Sequence, residues 1–372
     1  MPRDEGRAMK DEVKAFRKPQ QPKSKPNKKL ATKVRAVPNI VKEPEVPTVS
    51  LALQQRLLDL FQQALYAGPD SLACVQEVKS HLYKRDFASA FGKEDYLRAY
   101  ALRWSAGRTL AYLDLLCGEI GDVLSESLKQ SASNRDDEGE DMRAAAPKVF
   151  CFGAGAGAEI AAFAGWLDRD ESKRAMTNLK LEVVDIAAWD GVVETLTKGV
   201  TSPPELGKHA SDAARESVEA LIQPENFGVS FMRADLLEWN EVIVKGKLSG
   251  VRLVTIMFTL NELYSTSLPK TQSLLSHLTA ASEPGTMLLV VDSPGSYSTV
   301  SINGAEKKYP MQWLLDYTLL GSRKSDTPAK WEKISSEDSK WFRLPEGLVY
   351  PVELENMRYQ MHLYRRLSDA SG

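Results

Sequence analysis

The spacing of hydrophobic residues divides the chain into two parts. From Ser50 onward, apolar residues recur every three or four positions, which predicts a first helix with Thr48 or Ser50 as its cap. The same spacing predicts further helices over Ser71–Tyr83, Lys93–Ser105 and Arg108–Leu128. We therefore expect a helical N-terminal portion over residues 49–130.

Beyond Lys148, short apolar runs alternate with helical segments. The runs predict five strands, at Val149–Phe152, Leu179–Val184, Gly228–Arg233, Arg252–Phe258 and Thr286–Val291. Helical patterns lie between them, as at Glu159–Trp166 and Gln272–Ala281. Strands flanked by helices and apolar on both faces are typical of an α/β fold. We therefore expect a mostly parallel, doubly wound sheet over residues 148–372.

The end of the chain breaks this alternation. Gly347–Val352 and Met357–Leu363 are separated by four residues, which is too few for the helical crossover that parallel strands need. We expect these two segments to form a terminal antiparallel hairpin.

Two charged segments are predicted to lack regular structure. Val13–Lys42 contains ten Lys or Arg, no Asp or Glu, and four prolines. We expect residues 1–48 to form a disordered basic tail that is attracted to RNA phosphates or to import receptors. The alternative is a solvated tail without a specific partner. The acidic run and small residues of segment 131–147 indicate a flexible connection.

Composition narrows the class of protein. With 372 residues, 43% hydrophobic residues and a net charge of −2, the chain is neither fibrous nor wholly disordered. Three cysteines are too few for a disulfide framework, which favours a reducing, intracellular compartment. The longest apolar runs are far shorter than the ~20 residues of a membrane-spanning helix, so we expect no membrane partner. The charged first residues do not resemble a secretory signal.

The strongest chemical signal is a glycine-rich segment directly after the first predicted strand. Gly153, Gly155 and Gly157 let the backbone turn sharply and admit a ligand, and the N-terminus of the next helix favours an electron-rich group. Gly153, Gly155 and Ala158 also satisfy the dinucleotide fingerprint G-x-G-x-x-G/A. A tight turn without a ligand is the third interpretation.

Two acidic residues at predicted strand ends bear on this choice. Asp185 follows the second strand, where a carboxylate can accept both hydroxyls of an adenosine ribose. Asp235 follows the third strand, where it can hold an adenine amino group. Each acid could instead cap a helix. Together with the glycines and the terminal hairpin, they favour S-adenosylmethionine (SAM) over NAD as the cofactor.

Several segments carry a resemblance to a known family. They read VFCFGAGAGAEIAAFAGW, LEVVDIAAWDGVV, FMRADLLEW, VTIMFTLNELYSTS and MRYQMHLYRR, with YLRAYALRWSAGRTLAY upstream. The region from Ser50 to Leu367 resembles the fungal 25S ribosomal RNA (uridine-N3) methyltransferases, which are SAM-dependent, Rossmann-like class I enzymes. The resemblance implies that the partner is the RNA of the large subunit or its precursor. It also implies a nuclear, nucleolar and cytoplasmic location and, we expect, a monomer.

The end of the fourth strand is where such an enzyme places the methyl acceptor. Phe258 is expected to line the cofactor site, and Asn261 could hydrogen-bond the uracil carbonyls. Glu262 is the candidate general base for the N3 proton, and Tyr264 could stack on the flipped base. The alternatives are that Asn261 only caps a helix and that Glu262 is merely solvated.

Other residue types narrow the chemistry further. No cysteine follows the fourth strand, which disfavours a covalent attack on carbon 5 of a pyrimidine. The four histidines are scattered without metal-ligand spacing, so we expect no metal. Arg103 and Arg108, interleaved with aromatic residues, are candidate RNA contacts, although those aromatic side chains could instead pack the helices onto the sheet.

Three rival functions remain open from the sequence. They are a SAM-dependent methyltransferase that acts on protein or a small molecule, a non-catalytic ribosome-assembly factor that retains the fold, and an NAD oxidoreductase.

Overall fold

The computed structural model describes residues 48–133, 146–168, 178–206, 211, 218–295, 297–302, 305–321 and 329–368. The predicted basic tail and most of the predicted acidic connection lie outside the described residues. Residues 47–372 form one compact unit. No helix in the described ranges is long and apolar enough to span a membrane.

A seven-stranded sheet forms the centre of this unit. Nine strands are described: β1 Lys148–Phe152, β2 Leu179–Asp185, β3 Phe227–Arg233, β4 Val251–Met257, β5 Met287–Asp292, β6 Tyr297–Ile302, β7 Ala305–Pro310, β8 Trp331–Phe342 and β9 Met357–Arg366. The main sheet has the order β3-β2-β1-β4-β5-β9-β8, and its first five members are parallel. β9 runs antiparallel to both β5 and β8. The predicted mostly parallel sheet with an antiparallel end is confirmed.

The prediction that Gly347–Val352 forms the antiparallel partner of the last strand is wrong. Gly347–Val352 forms no strand, and β9 pairs instead with β8, for example Trp331 with Arg366. Gly347 has a φ of 92°, and Pro351 lacks the N–H that a ladder requires. β8 has the polar sequence WEKISSEDSKWF because it is the partly exposed edge of the sheet, so its side chains show no apolar period. The β6–β7 hairpin was likewise not predicted.

Helices cover both faces of the sheet and form the N-terminal portion, as predicted. Those described are α1 Leu51–Leu65, α2 Pro69–Tyr83, α3 Phe87–Ala90, α4 Glu94–Tyr100, α5 Ala106–Cys117, α6 Gly121–Ser133, α7 Ala158–Asp168, α8 Asp190–Thr201, α9 Glu241–Leu248, α10 Leu260–Thr266, α11 Leu268–Ala281 and α12 Met311–Leu320. Two boundaries differ from the prediction. A π-helical turn, Ala101–Ser105, joins α4 to α5, and Gly118 separates α5 from α6.

The alternation of side chains along β1 shows how the two faces are filled. Val149 and Cys151 belong to the apolar core that includes residues of α1, α5, α7 and α8. Phe150 and Phe152 belong to a second core with residues of α9, α11 and α12. Both cores are built from buried aliphatic and aromatic side chains, so the sheet is covered on both sides. The N-terminal helices thus contribute directly to the core above β1, and α5 lies close to the turn that follows it.

Candidate functional site

The glycine-rich turn follows β1 at the carboxyl edge of the sheet. The N–H of Gly153 donates to the carbonyl of Val184 at 2.8 Å, and Gly153 and Gly157 have φ values of 71° and 82°, which favour glycine. A Cβ at each glycine would overlap a side chain of this same chain: Thr259 at Gly153, Trp189 at Gly155 and Leu196 at Gly157. The missing Cβ atoms therefore make room for protein side chains, and a ligand would meet the other faces of the turn.

Asp185 lies beside this turn at the end of β2. Its Oδ2 accepts a hydrogen bond from the N–H of Gly155 and its Oδ1 one from the N–H of Ala187, each at 3.1 Å. Burial raises the pKa of the Asp185 carboxyl, and these hydrogen bonds oppose that rise. A carboxylate offers about four acceptor sites, so Asp185 retains capacity for hydroxyl donors such as those of a ribose. The neighbouring Ile186 is 63% exposed and offers an apolar surface at the same edge.

Asp235 follows β3 at the adjacent position along this edge. β3 pairs with β2 so that Arg233 lies opposite Asp185. The Oδ1 of Asp235 accepts from the N–H of Leu237 at 2.9 Å and caps a short 3₁₀ turn. One oxygen of Asp235 therefore acts as a cap, and the binding of an adenine amino group by Asp235 stays a prediction.

A third carboxylate lies on the helix side of the glycine turn. Glu159, in the first turn of α7, is 4% exposed, and its Oε1 has no hydrogen-bond partner among the described residues. Burial raises the pKa of this carboxyl to about 8, although Arg108 of α5 acts in the opposite direction. Because an unpaired polar atom in a buried site is costly, Glu159 is a candidate for binding a cationic ligand group.

Phe258 marks the point where β4 meets the helical layer. Its φ of 54° lies in the left-handed region, which is strained for a bulky side chain and is often found at functional sites. Its N–H donates to the carbonyl of Val291 at 2.7 Å. The guanidinium of Arg108 lies 4.7 Å from the centre of its ring, and Tyr112 stacks on it at 6.5 Å. Phe258 thus connects α5 to the predicted acceptor site.

The predicted acceptor residues lie at the start of α10. Asn261 is half-buried in the first turn of this helix, and Glu262 is exposed beside it. The N–H of Asn261 donates to Oδ2 of Asp292 at 3.0 Å, and the N–H of Ser293 donates to Oδ1 of the same carboxylate at 2.7 Å. Burial raises the pKa of Asp292 to about 6, and Glu262 adds to this rise. The structure thus brings Asn261 and Glu262 to the ends of β4 and β5.

A cleft opens at Phe258, directly after β4. It encloses about 170 Å³, and the residues that line it are Arg103, Trp104, Gly107, Arg108, Phe258, Glu355, Asn356, Met357 and Arg358. Arg103 and Trp104 come from the π-helical turn, a distortion that is frequent at functional sites. Arg103 is 8% exposed and forms an ion pair with Glu355, whereas Arg358 is exposed. Both predicted RNA-contact arginines therefore line one cleft.

Tyr264 does not share this location. Its side chain is 3% exposed and packs in the core with residues of α11 and α12, and burial raises the pKa of its hydroxyl. A ring enclosed in this way offers no free face to a flipped base. The predicted stacking role is therefore wrong for this arrangement.

Two site residues were missed by the sequence reasoning. Glu159 carried a signal, since it is an acid in the first turn of an otherwise apolar helix that directly follows the glycines. Asp292 carried a weaker one, as an acid at the end of the fifth strand. Among the described residues no three His, Cys, Asp or Glu side chains lie together as a metal site would require.

The arrangement fits SAM in its chemistry. SAM carries ribose hydroxyls, a sulfonium and an ammonium, and this edge of the sheet holds Asp185 and the buried Glu159, whose Oε1 is bound by no described residue. A family model of SAM-dependent methyltransferases matches residues 59–365. The chain belongs to this family. Its cofactor is accordingly SAM, as the sequence analysis predicted, and the NAD alternative is not supported.

The chain is also similar to individual proteins of known identity. The 25S rRNA (uridine(2843)-N(3))-methyltransferase of Saccharomyces cerevisiae (strain ATCC 204508 / S288c) is 34% identical over 306 residues, which cover 78% of this chain and 76% of that protein. A SAM-dependent methyltransferase structure from Methanosarcina mazei is 9% identical with a TM-score of 0.33 and covers 60% of this chain and 94% of that one. An O-methyltransferase family protein from Burkholderia thailandensis is 13% identical with a TM-score of 0.35, covering 82% and 74%.

Proposed function

We propose that this methyltransferase transfers a methyl group from SAM to N3 of a uridine in large-subunit (25S) ribosomal RNA. The observation that carries the proposal is the cleft at Phe258, directly after β4, which combines arginines with the Trp104 ring. Arginine and aromatic side chains are suited to phosphates and unpaired bases. The 34% identity to the yeast uridine-N3 enzyme supports the same substrate.

The reaction makes modest demands on the protein. When bound, SAM supplies an electrophilic methyl group on a positively charged sulfur. The uridine must present N3 in line with that methyl, and the N3 proton must leave as the new N–C bond forms and the C–S electron pair returns to sulfur. In this proposal Asn261 orients the uracil, and the hydrogen bond from its N–H to Asp292 in the first turn of α10 supports this role by fixing its backbone. In the same proposal Glu262, whose side chain is exposed, accepts the proton.

Mapping of modified nucleosides tests the substrate. We expect N3-methyluridine to disappear from one position of the large-subunit RNA in cells that lack the protein and to return with the wild-type gene. The Glu262→Gln variant should restore about 1% or less of the wild-type rate, since general-base catalysis contributes about 10²–10⁴. Glu241→Gln, another exposed first-turn glutamate, is the control. Unchanged N3-methyluridine in the deletion would contradict the rRNA assignment and favour a protein or small-molecule substrate.

Binding to RNA tests the cleft itself. Arg358→Ala removes the exposed arginine of the cleft, whereas Arg365→Ala removes one on the same strand that pairs with Glu332. We expect only Arg358→Ala to weaken RNA binding and to reduce its salt dependence by about one counterion. Equal effects of the two variants would indicate a diffuse electrostatic surface.

We also propose that the protein is a monomer, which sedimentation would test, and that it lies in the nucleus, nucleolus and cytoplasm, which imaging would test.

A further inference from the structure

The chemistry of SAM determines where its amino acid arm must lie. The sulfonium is bonded to the ribose carbon C5′, to the transferred methyl and to the arm, so the arm starts between the ribose site and the methyl acceptor. In this chain Asp185 lies at the predicted ribose site, and Phe258 and Asn261 lie at the predicted site of the methyl acceptor. The arm ends in an ammonium and a carboxylate, and it therefore needs one acidic and one basic partner between these positions.

Glu159 has the properties of the acidic partner. It directly follows the glycine turn, is 4% exposed, and leaves Oε1 without a hydrogen-bond partner in the described part of the chain. The charged or titratable groups within electrostatic range are Arg108 and Tyr112 of α5, Cys151 of β1 and Asp185 of β2. Cys151, Asp185 and Glu159 all lie at or next to the carboxyl ends of β1 and β2, and Arg108 also lines the cleft at Phe258. We therefore expect Glu159 to lie between the predicted ribose site and that cleft.

Arg108 has the properties of the basic partner. Its Nη1 donates to the hydroxyl of Tyr100 at 2.9 Å, and its guanidinium lies 4.7 Å from the ring centre of Phe258, at the wall of the acceptor cleft. A guanidinium has five N–H donors, so one hydrogen bond to Tyr100 leaves a fork for a carboxylate. Arg108 and Glu159 influence each other electrostatically but form no ion pair within the described residues.

An acid and a base held near each other without pairing match a zwitterion that bridges them. We propose that Glu159 binds the α-ammonium group of SAM and that Arg108 binds its α-carboxylate. Arg108 is then a cofactor residue rather than an RNA contact. The inference concerns the cofactor and does not depend on RNA being the substrate.

Three thioether ligands that differ only in the arm test this assignment by calorimetry at pH 7.5. S-adenosylhomocysteine has both arm charges, its decarboxylated analogue has the ammonium alone, and 5′-methylthioadenosine has neither. Glu159→Gln should lower the affinity for S-adenosylhomocysteine and for its decarboxylated analogue by about tenfold or more, because the loss of a hydrogen bond to a charged group is costly. It should change the affinity for 5′-methylthioadenosine by less than about twofold. Arg108→Gln should weaken only S-adenosylhomocysteine by a similar factor.

Glu182→Gln serves as the matched control, because Glu182 lies on β2 and pairs with Lys148 away from the turn. It should leave all three affinities within about twofold of the wild type. If Glu159→Gln weakened all three ligands equally, Glu159 would support the fold of the site and the proposal would be overturned. If Glu159→Gln left the affinity for S-adenosylhomocysteine unchanged, the proposal would be overturned as well. Binding of the three ligands to the wild type, which is measured first, separates a failure of this inference from a failure of the RNA assignment.

Discussion

Asp185 and Glu159 both lie next to the glycine turn, but their surroundings in the protein differ. Asp185 accepts hydrogen bonds from two backbone N–H groups, one of them in the turn. Glu159 is buried as deeply as a core residue and has an oxygen that no described residue satisfies. Burial raises the pKa of both carboxyl groups, but only Asp185 has backbone hydrogen bonds from other residues that oppose the rise.

The difference separates two ways of preparing a ligand site. Around Asp185 the backbone orients a carboxylate in advance, so a ribose meets acceptors that are already fixed. Around Glu159 the protein leaves an unfavourable buried group that becomes satisfied only when a cation arrives. We therefore expect the sugar end to be preorganised and the amino acid end to be completed by the cofactor itself.

Removing the charge of Asp185 should give the largest effect. Asp185→Asn places an amide N–H₂ next to the N–H of Gly155 or of Ala187, and it also loses the charge-assisted bonds to the ribose. We expect affinity for S-adenosylhomocysteine and for 5′-methylthioadenosine to fall together by about 100-fold, or about 2.7 kcal/mol. Asp190→Asn, an exposed change nearby, is the control. A loss confined to S-adenosylhomocysteine would remove the contrast between the two ends.

Local sequence pattern was enough to predict the carboxylates of the expected sugar end, whereas it did not predict that Arg108 and Glu159 come near each other. Asp185 and Asp235 follow strands, and the ends of parallel strands meet at one edge of a sheet, so local pattern is enough to bring them together. Arg108 and Glu159 come near each other because α5 packs against α7, and proximity between helices that lie far apart in the chain has no local signature in the sequence. The pairing of β9 with β8 was missed for a related reason, since an exposed edge strand shows no apolar alternation.

The glycine turn that separates the two carboxylates provides the next test. Gly153→Ala adds a Cβ where Thr259 already lies, in a left-handed conformation. Gly250→Ala has a similar φ of 69° but meets nothing within 4 Å, so the pair shares the backbone strain and differs only in overlap. We expect Gly153→Ala to lower the free energy of unfolding by about 2 kcal/mol more than Gly250→Ala does. We also expect it to lower the affinity for S-adenosylhomocysteine and for 5′-methylthioadenosine. Equal stability losses would show that the turn yields easily.

The smallest expected effect is on the pH dependence of the free energy of unfolding. It tests the comparison between Asp185 and Glu159 further. Glu159 has a folded pKa of about 8, whereas an unfolded glutamate titrates near about 4.3, so between these values the folded protein holds a proton that the unfolded chain lacks. The stabilisation is therefore complete below about pH 4 and is lost as the pH rises toward 8. From pH 7 to 8 we expect the unfolding free energy of the ligand-free wild type to fall by on the order of 1 kcal/mol more than that of Glu159→Gln.

This pH window isolates Glu159 from the other buried groups. Burial gives Asp292 a pKa of about 6 and His362 a pKa of about 4, so both titrate mostly below pH 7 in the folded protein, and both are shared by the wild type and Glu159→Gln. A saturating concentration of S-adenosylhomocysteine should remove most of the difference between wild type and Glu159→Gln, because a bound ammonium stabilises the ionised carboxylate. 5′-Methylthioadenosine should leave the difference in place. If both ligands removed it equally, the proton on Glu159 would respond to closure of the site and not to the charge of the arm.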